Sequence, residues 1–267
     1  MTEIAQEFLA SLRAEVSSFA DAVHTPDGQW VVKGFVDIFR NLYAVPGDTK
    51  VISKLLELML FPQFAWFAGR HALKLVLSRE QNHYPDLSFI DSDGTKYAVD
   101  LKTTYRRNQD TANTMTLGAF TGYFRDRSSA KNVTFPYDEY EGHFVVGVVY
   151  TRADDATEGQ VAQGLERLEH VQSVIRDIVF FVQPKFAIAS DTPGSGNTKN
   201  IGAVRSLSAL LSGAGPFSGL GQDVFDDYWM HYLTADMARA AELAAPPYSN
   251  LQSYWAFKRR LLDKEGA

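Results

Sequence analysis

Ile4, Phe8, Leu9, Leu12, Val16 and Phe19 recur at three- and four-residue steps and predict an amphipathic helix near the N-terminus. The period is lost by Trp30-Val31-Val32, a bulky and branched run that predicts a strand, and Pro46-Gly47-Asp48 then breaks the chain. Asp48 or Thr49 offers a side-chain oxygen to cap a second helix carrying Ile52, Leu55, Leu56 and Met59. Further on, alternation replaces the helical period. Leu87 and Phe89 alternate with Asp86, Ser88 and Ile90, while Tyr97, Val99 and Leu101 alternate with Lys96, Ala98, Asp100 and Lys102. Two strands joined by an Asp93-Gly94 turn are expected, because Gly tolerates the positive φ of such turns. Residues 144–150 read as a buried strand, and residues 179–182 and 186–189 as two more. Residues 151–164 read as an acidic loop entering a helix, residues 191–202 as a turn-rich loop, and the remainder as mainly helical. There is neither a convincing repeat nor a long linker, so one α/β domain with subdomains is the simplest account.

Residues 81–107 carry the chemistry. If Ser92-Asp93-Gly94 is the loop, Asp86 falls opposite Asp100, and directly opposed residues have Cβ atoms ~5 Å apart. Lys102 shares a face with Asp100, while Leu101 points to the core. Two bare carboxylates at that distance repel, and a hard divalent cation is the natural relief. Such a centre beside a phosphate would hydrolyse a phosphodiester. An ordinary surface hairpin whose polar face carries Asp, Asp and Lys fits the same spacing, and pattern alone leaves both readings open.

Composition narrows the surroundings. With 267 residues, 45% of them hydrophobic, the chain can fill a substantial core. No apolar run approaches the ~18 residues of a membrane span, and the first residues lack a signal-peptide layout. The absence of cysteine excludes disulfides and thiolate metal sites, and fits a cytoplasmic location. A net charge of −6 argues against a nonspecific nucleic-acid coat but leaves room for a local basic groove. Arg106, Arg107, Arg125, Arg127 and Lys131 are candidates for one.

Asn82-His83-Tyr84-Pro85-Asp86 followed by Asp100-Leu101-Lys102-Thr103-Thr104-Tyr105 resembles the EcoRV-type type II restriction endonucleases of the PD-(D/E)XK nuclease superfamily. The resemblance extends to Asp48-Thr49-Lys50-Val51, Thr116-Leu117-Gly118, residues 143–152, Gly194-Ser195-Gly196-Asn197-Thr198, Asn200-Ile201-Gly202 and Asp227-Tyr228-Trp229. It implies a restriction-endonuclease-like α/β fold, a mixed β-sheet core flanked by helices, with dimerisation and DNA-recognition subdomains within 1–267.

The resemblance also implies roles. Asp86 and Asp100 match the family's metal-binding carboxylates, the intervening Leu101 is the candidate to lend its backbone carbonyl to the metal, and Lys102 matches the catalytic lysine. Glu57 matches a further acidic residue; an ordinary solvent-facing helix glutamate is the competing reading. Mg²⁺ is the implied cofactor. Gly194, Ser195, Gly196, Asn197 and Thr198 resemble a major-groove recognition loop, and Gln81 and Asn82 a loop approaching the minor groove. Lys199 stands where the family has a neutral polar residue and adds a phosphate contact. The implied reaction is a blunt double-strand cut at the palindrome GATATC in foreign DNA. A homodimer and a separate cognate methyltransferase are the implied partners. A longer N-terminus, a shorter turn between the aspartates and a poorly matching stretch at 153–177 are the departures. A non-cleaving metal-dependent DNA-binding protein and another PD-(D/E)XK nuclease acting in DNA repair are the alternatives.

Overall fold

The computed structural model describes residues 1–80, 82–153, 163–194 and 198–265. The first helix, α1 (Glu3–Val23), starts at Thr2, whose hydroxyl accepts the Ala5 N–H at 3.2 Å. Its stripe of Phe8, Leu9, Leu12 and Phe19 is buried as the period predicts, but Ile4 lies outside the stripe and is exposed. Trp30-Val31-Val32 does not form a strand. Trp30 meets His24 in an isolated bridge and buries its indole completely, so its bulk serves the core rather than a ladder. The strands begin later, with β1 (Gly34–Val36) and β2 (Asn41–Ala44).

Asp48 caps α2 (Thr49–Arg70), its Oδ1 accepting the Lys50 and Val51 N–H groups at 2.9 and 3.1 Å. The helix passes through Pro62 because Ile52, Leu56, Leu60, Phe64 and Phe67 continue one buried stripe across it. By length and composition alone α2 could cross a membrane, yet Lys54 and Glu57 form an exposed ion pair on its surface. The buried Glu15 carboxylate joins α1 to α2 through Arg70 at 2.9 Å.

The central sheet contains β3 (Lys74–Leu77), β4 (Leu87–Ile90), β5 (Lys96–Tyr105), β7 (Tyr140–Arg152) and β9 (Ile175–Pro184), in the order β3-β4-β5-β7-β9. Only the β5–β7 pair within it is parallel. On one face, α1 and α2 enclose an aromatic core in which Phe8 stacks on Tyr97 at 4.2 Å. The other face is also covered, by Tyr84, Phe124, Tyr137, Phe186 and Trp229. The two polar-looking strand faces therefore meet a second core, not open solvent.

Two expectations fail beyond β9. Residues 186–189 are not a strand: Lys185–Ile188 form the single helical turn α3, directly after Pro184 ends β9. Residues 191–193 and 200–202 are strand rather than the expected turn-rich loop, while 195–197 lie outside the described residues. They belong to β10 (Ala189–Pro193) and β11 (Asn200–Ala203), which pair with each other and, through β11, with β6 (Thr116–Ala119). Strand pairing supplies there what local composition does not. The loop-to-helix expected at 151–164 lies largely outside the described residues; β8 (Gln163–Gly164) pairs with β2. The C-terminal part is helical as expected, in α4 (Leu207–Ser212), α5 (Gly221–His231), α6 (Ala235–Ala240) and α7 (Leu251–Glu265).

Candidate active site

The β4–β5 hairpin fixes the geometry of the two aspartates. Asp91 pairs with Thr95 through a 3.1 Å backbone hydrogen bond, leaving Ser92, Asp93 and Gly94 as a three-residue loop with Gly94 at φ +86°. The ladder pairs Leu87 with Val99, and one further step in that register sets Asp86 against Asp100. Side chain and backbone interlock at this point. The Leu101 N–H donates to Asp86 Oδ2 at 2.8 Å, and the Asp86 N–H donates to Asp100 Oδ1 at 3.3 Å. Lys102 Nζ lies 2.8 Å from Asp100 Oδ2 and 3.8 Å from Asp86 Oδ2. One ammonium thus bridges two carboxylates from adjacent strands.

Burial makes this centre electrostatically tense. The Asp86 carboxylate is 39% exposed and that of Asp100 only 7%. Desolvation and the Asp100 charge push Asp86 up to about 7. Burial alone would raise Asp100 as well, but the charge and hydrogen bond of Lys102, joined by the charge of Lys185, hold it below its ordinary value. Burial opposes the charge on Lys102, yet Asp100 and Asp86 raise its pKa above the usual lysine value. A surface hairpin would show neither this burial nor these shifts.

The donor set suits a hard divalent cation. It offers carboxylate oxygens only, and among the described residues no three His, Cys, Asp or Glu side chains gather into a metal-holding group. Mg²⁺ is bound in this ligand-poor way, through one or two carboxylates with waters and substrate phosphate completing its shell. Leu101 is half-buried: it packs against the α1–α2 core, as its strand position predicts, and also lines the adjoining cleft.

That cleft has a volume of about 530 Å³ and is lined by Lys54, Glu57, Arg79, Asp86 and Leu101, among others. It continues into a second cleft of about 560 Å³, which shares Lys54 and Glu57 and adds Lys50, Thr103 and Asn113. Glu57 thus faces the same groove as Asp86 but is not gathered with the aspartates. It is 52% exposed and paired with Lys54 at 2.7 Å.

The candidate DNA-contacting residues are placed unevenly. Gln81, Ser195, Gly196 and Asn197 lie outside the described residues, while Asn82 and Lys199 are exposed. Gly194 donates its N–H to the Asn200 carbonyl at 3.0 Å, closing the neck of the loop that contains Thr198. A Cβ on Gly194 would come within 2.6 Å of Thr116 Cγ2, so glycine permits the close approach to β6.

The predicted basic groove needs correction. Arg127 Nη1 pairs with Asp226 at 2.9 Å, and Arg125 donates to the Tyr232 carbonyl, so both serve internal packing. Arg106 donates to Thr151 at 3.1 Å and Arg107 to Asn113 at 3.1 Å, yet both line a further cleft together with Arg152, and Arg107 and Lys131 are exposed. At the C-terminus, Lys258 pairs with Asp227 at 3.1 Å, and α7 continues past it.

Sequence reading overlooked Lys50, Lys54 and Arg79 in the groove and Lys185 beneath the site. The signal for Lys54 was its position three residues before Glu57 on one helix face. For Lys185 it was a lone charge within the apolar run Phe180–Ala189, written 180–189 in FFVQPKFAIA.

The mixed five-stranded sheet flanked by helices is consistent with the restriction-endonuclease-like fold. The family model described as restriction endonuclease EcoRV matches residues 26–259. The chain is also similar to the type II restriction enzyme EcoRV of Escherichia coli, with 30% identity over 249 residues, 91% of this chain and 98% of that protein. A match of the family model over residues 26–259, with 30% identity over 91% of the chain, makes the chain a member of the EcoRV family of type II restriction endonucleases.

Proposed function

We propose that this endonuclease cuts both strands of GATATC bluntly, with Mg²⁺ as cofactor, Asp86 and Asp100 as metal ligands and Lys102 as the catalytic lysine. Nucleases of this type are generally dependent on a divalent metal, and their substrate is DNA. The observation carrying the chemical reading is the meeting of Asp86, Asp100 and Lys102 at one edge of the groove. When bound, the cation supplies Lewis-acid polarisation of the scissile phosphate and a more acidic water. The chain's own groups do the rest. The Leu101 N–H fixes the Asp86 carboxylate, and Lys102 orients Asp100. The Lys102 ammonium donates to the attacking water and offsets negative charge developing on the phosphate. In-line attack leaves a 5′-phosphate and a 3′-hydroxyl. Leu101 contributes its carbonyl to the cation, and Glu57 tunes the groove's charge or holds a second cation from across it.

Specificity is assigned to the 194–198 loop and to Gln81 and Asn82, with Lys199 on phosphate. Asn reads adenine and Thr the thymine methyl, while a flexible central TA step lowers the cost of bending. A symmetric site requires two active centres, so the working form is a homodimer within which each chain is one domain with dimerisation and recognition subdomains. The β1–β2 hairpin supports this. Asp37 accepts hydrogen bonds from Phe39, Asn41 and Tyr43 and organises a tip that leaves Ile38 90% and Phe39 78% exposed. Defence against foreign DNA then calls for a separate methyltransferase protecting the host's own sites.

Digestion of a mixed-sequence plasmid with Mg²⁺, followed by end mapping, tests the reading. Discrete blunt ends within GATATC are expected. Discrete cuts elsewhere would remove the assigned specificity and keep the chemistry; binding without cutting, beside an active control nuclease, would remove the chemistry.

A further inference from the structure

A second cation lies beneath the carboxylates. Lys185 opens α3 and is 2% exposed, and its Nζ has no hydrogen-bond partner. Burying an ammonium with three unmet donors is costly, so its retention calls for a compensating role. Aromatic faces replace part of the lost water: Nζ is 4.7 Å from the Tyr84 ring centroid and 5.5 Å from those of Phe124 and Tyr137. Gly118 closes the box, since a Cβ there would stand 3.7 Å from Nζ.

The sheet places this charge behind the candidate active site. Asp100 pairs with Val145 and Val145 with Gln183, so these three side chains share one face. Lys185 follows two residues after Gln183, where β9 turns into α3 beneath that row. Among the described residues Lys185 makes no ion pair, so it acts through space rather than by contact. Burial pulls its ammonium down to about 8, while the nearby Asp100 charge opposes that fall and favours the protonated form.

We infer that Lys185 is a positioning residue whose fixed charge behind Asp100 weakens the hold of the two-aspartate centre on its divalent cation. This rests on Asp86 and Asp100 being that cation's ligands. With Lys102 in front and Lys185 behind, two carboxylates face two ammoniums, and an incoming cation meets a nearly balanced centre. Binding is then favoured chiefly when a DNA phosphate adds negative charge.

The test is Mn²⁺ binding to the DNA-free protein at pH 7.5, counted by electron paramagnetic resonance, for wild type, Lys185→Met, Lys185→Arg and Asp100→Ala. Removing a buried positive charge near the site should tighten Mn²⁺ binding at least ~5-fold in Lys185→Met, with Lys185→Arg within about twofold of wild type. A purely structural lysine would not tighten the metal on removal. Unchanged or weaker binding in Lys185→Met, with Asp100→Ala still losing Mn²⁺, overturns the inference and leaves the ligand assignment standing. Unaltered binding in Asp100→Ala removes the assignment and the inference together. Should Lys185→Met not fold, wild-type protein labelled with ¹³Cε-lysine gives the answer. The Lys185 resonance, identified by its loss in Lys185→Arg, should shift on Mg²⁺ addition, and a stationary resonance overturns the inference.

Discussion

Replacing Asp86 with Asn should stabilise the metal-free protein at pH 8 while removing its cleavage activity. The wild-type carboxyl is displaced from 3.8 to about 7, first by burial and then by the charge of Asp100. A group whose folded pKa is raised holds its proton more tightly in the native state. Its contribution is therefore fully present below 3.8 and lost as the pH rises through about 7. At ~1.4 kcal/mol per pH unit, that displacement would cost ~4 kcal/mol once Asp86 is fully ionised. Its carboxylate is 39% exposed, so water screens part of the cost and about 2 kcal/mol is the better figure. Asn keeps an oxygen to accept the Leu101 N–H and carries no charge, so the variant avoids this loss. For a chain of this size the difference corresponds to a melting temperature higher by ~4–8 °C. Thermal melts in chelator at pH 8 and pH 4 would measure it, with the two proteins converging at the lower pH. Asp100 titrates in the opposite sense, because its lowered pKa adds stability that is lost on acidification. Added divalent cation should stabilise wild type more than the variant. An Asn variant that melts at or below wild type at pH 8 without metal would refute the account of Asp86 as a carboxylate held against burial and repulsion.

Other consequences can be checked separately. Asp100→Ala should abolish plasmid cleavage and remain folded, melting lower because Lys102 and Lys185 lose a compensating charge at a cost of about 1–3 kcal/mol; substantial retained cleavage would reject its role as a ligand. Phe39→Asp should leave circular dichroism unchanged, since the side chain is 78% exposed, while light scattering shifts from dimer to monomer; a persistent dimer would place the interface elsewhere.

The hairpin was legible because everything that fixes it is local. A period of two assigns the faces, Gly94 permits the turn, and the three-residue loop sets the register that opposes Asp86 to Asp100. The Asp48 cap was legible for the same reason. Trp30-Val31-Val32 misled because a bulky apolar run satisfies a strand and a buried core equally well. Residues 191–193 and 200–202 misled in the other direction. Their Gly, Asn and Thr favour turns, but β6 lies alongside and completes their hydrogen bonds. Arg125 and Arg127 looked like a DNA-facing cluster because charge counts carry no direction; their partners, Tyr232 and Asp226, are brought in by the distant α5 region.

The charge balance of the site is where local reading reached its limit. The hairpin alone brings two carboxylates and one ammonium to the site, which predicts an anionic centre that takes up a cation readily. The fold adds Lys185 from the end of the far strand β9, out of sight of any motif, and sets it in an aromatic box behind Asp100. Its effect is divided between two properties that a nuclease must reconcile. The buried ammonium helps keep Asp100 ionised, which the chemistry requires, and it repels the cation that Asp100 is proposed to bind. A centre built this way resists filling when empty and becomes favourable when phosphate arrives, so the demand for DNA is written into the electrostatics of the protein core as well as into the loop proposed to read the bases.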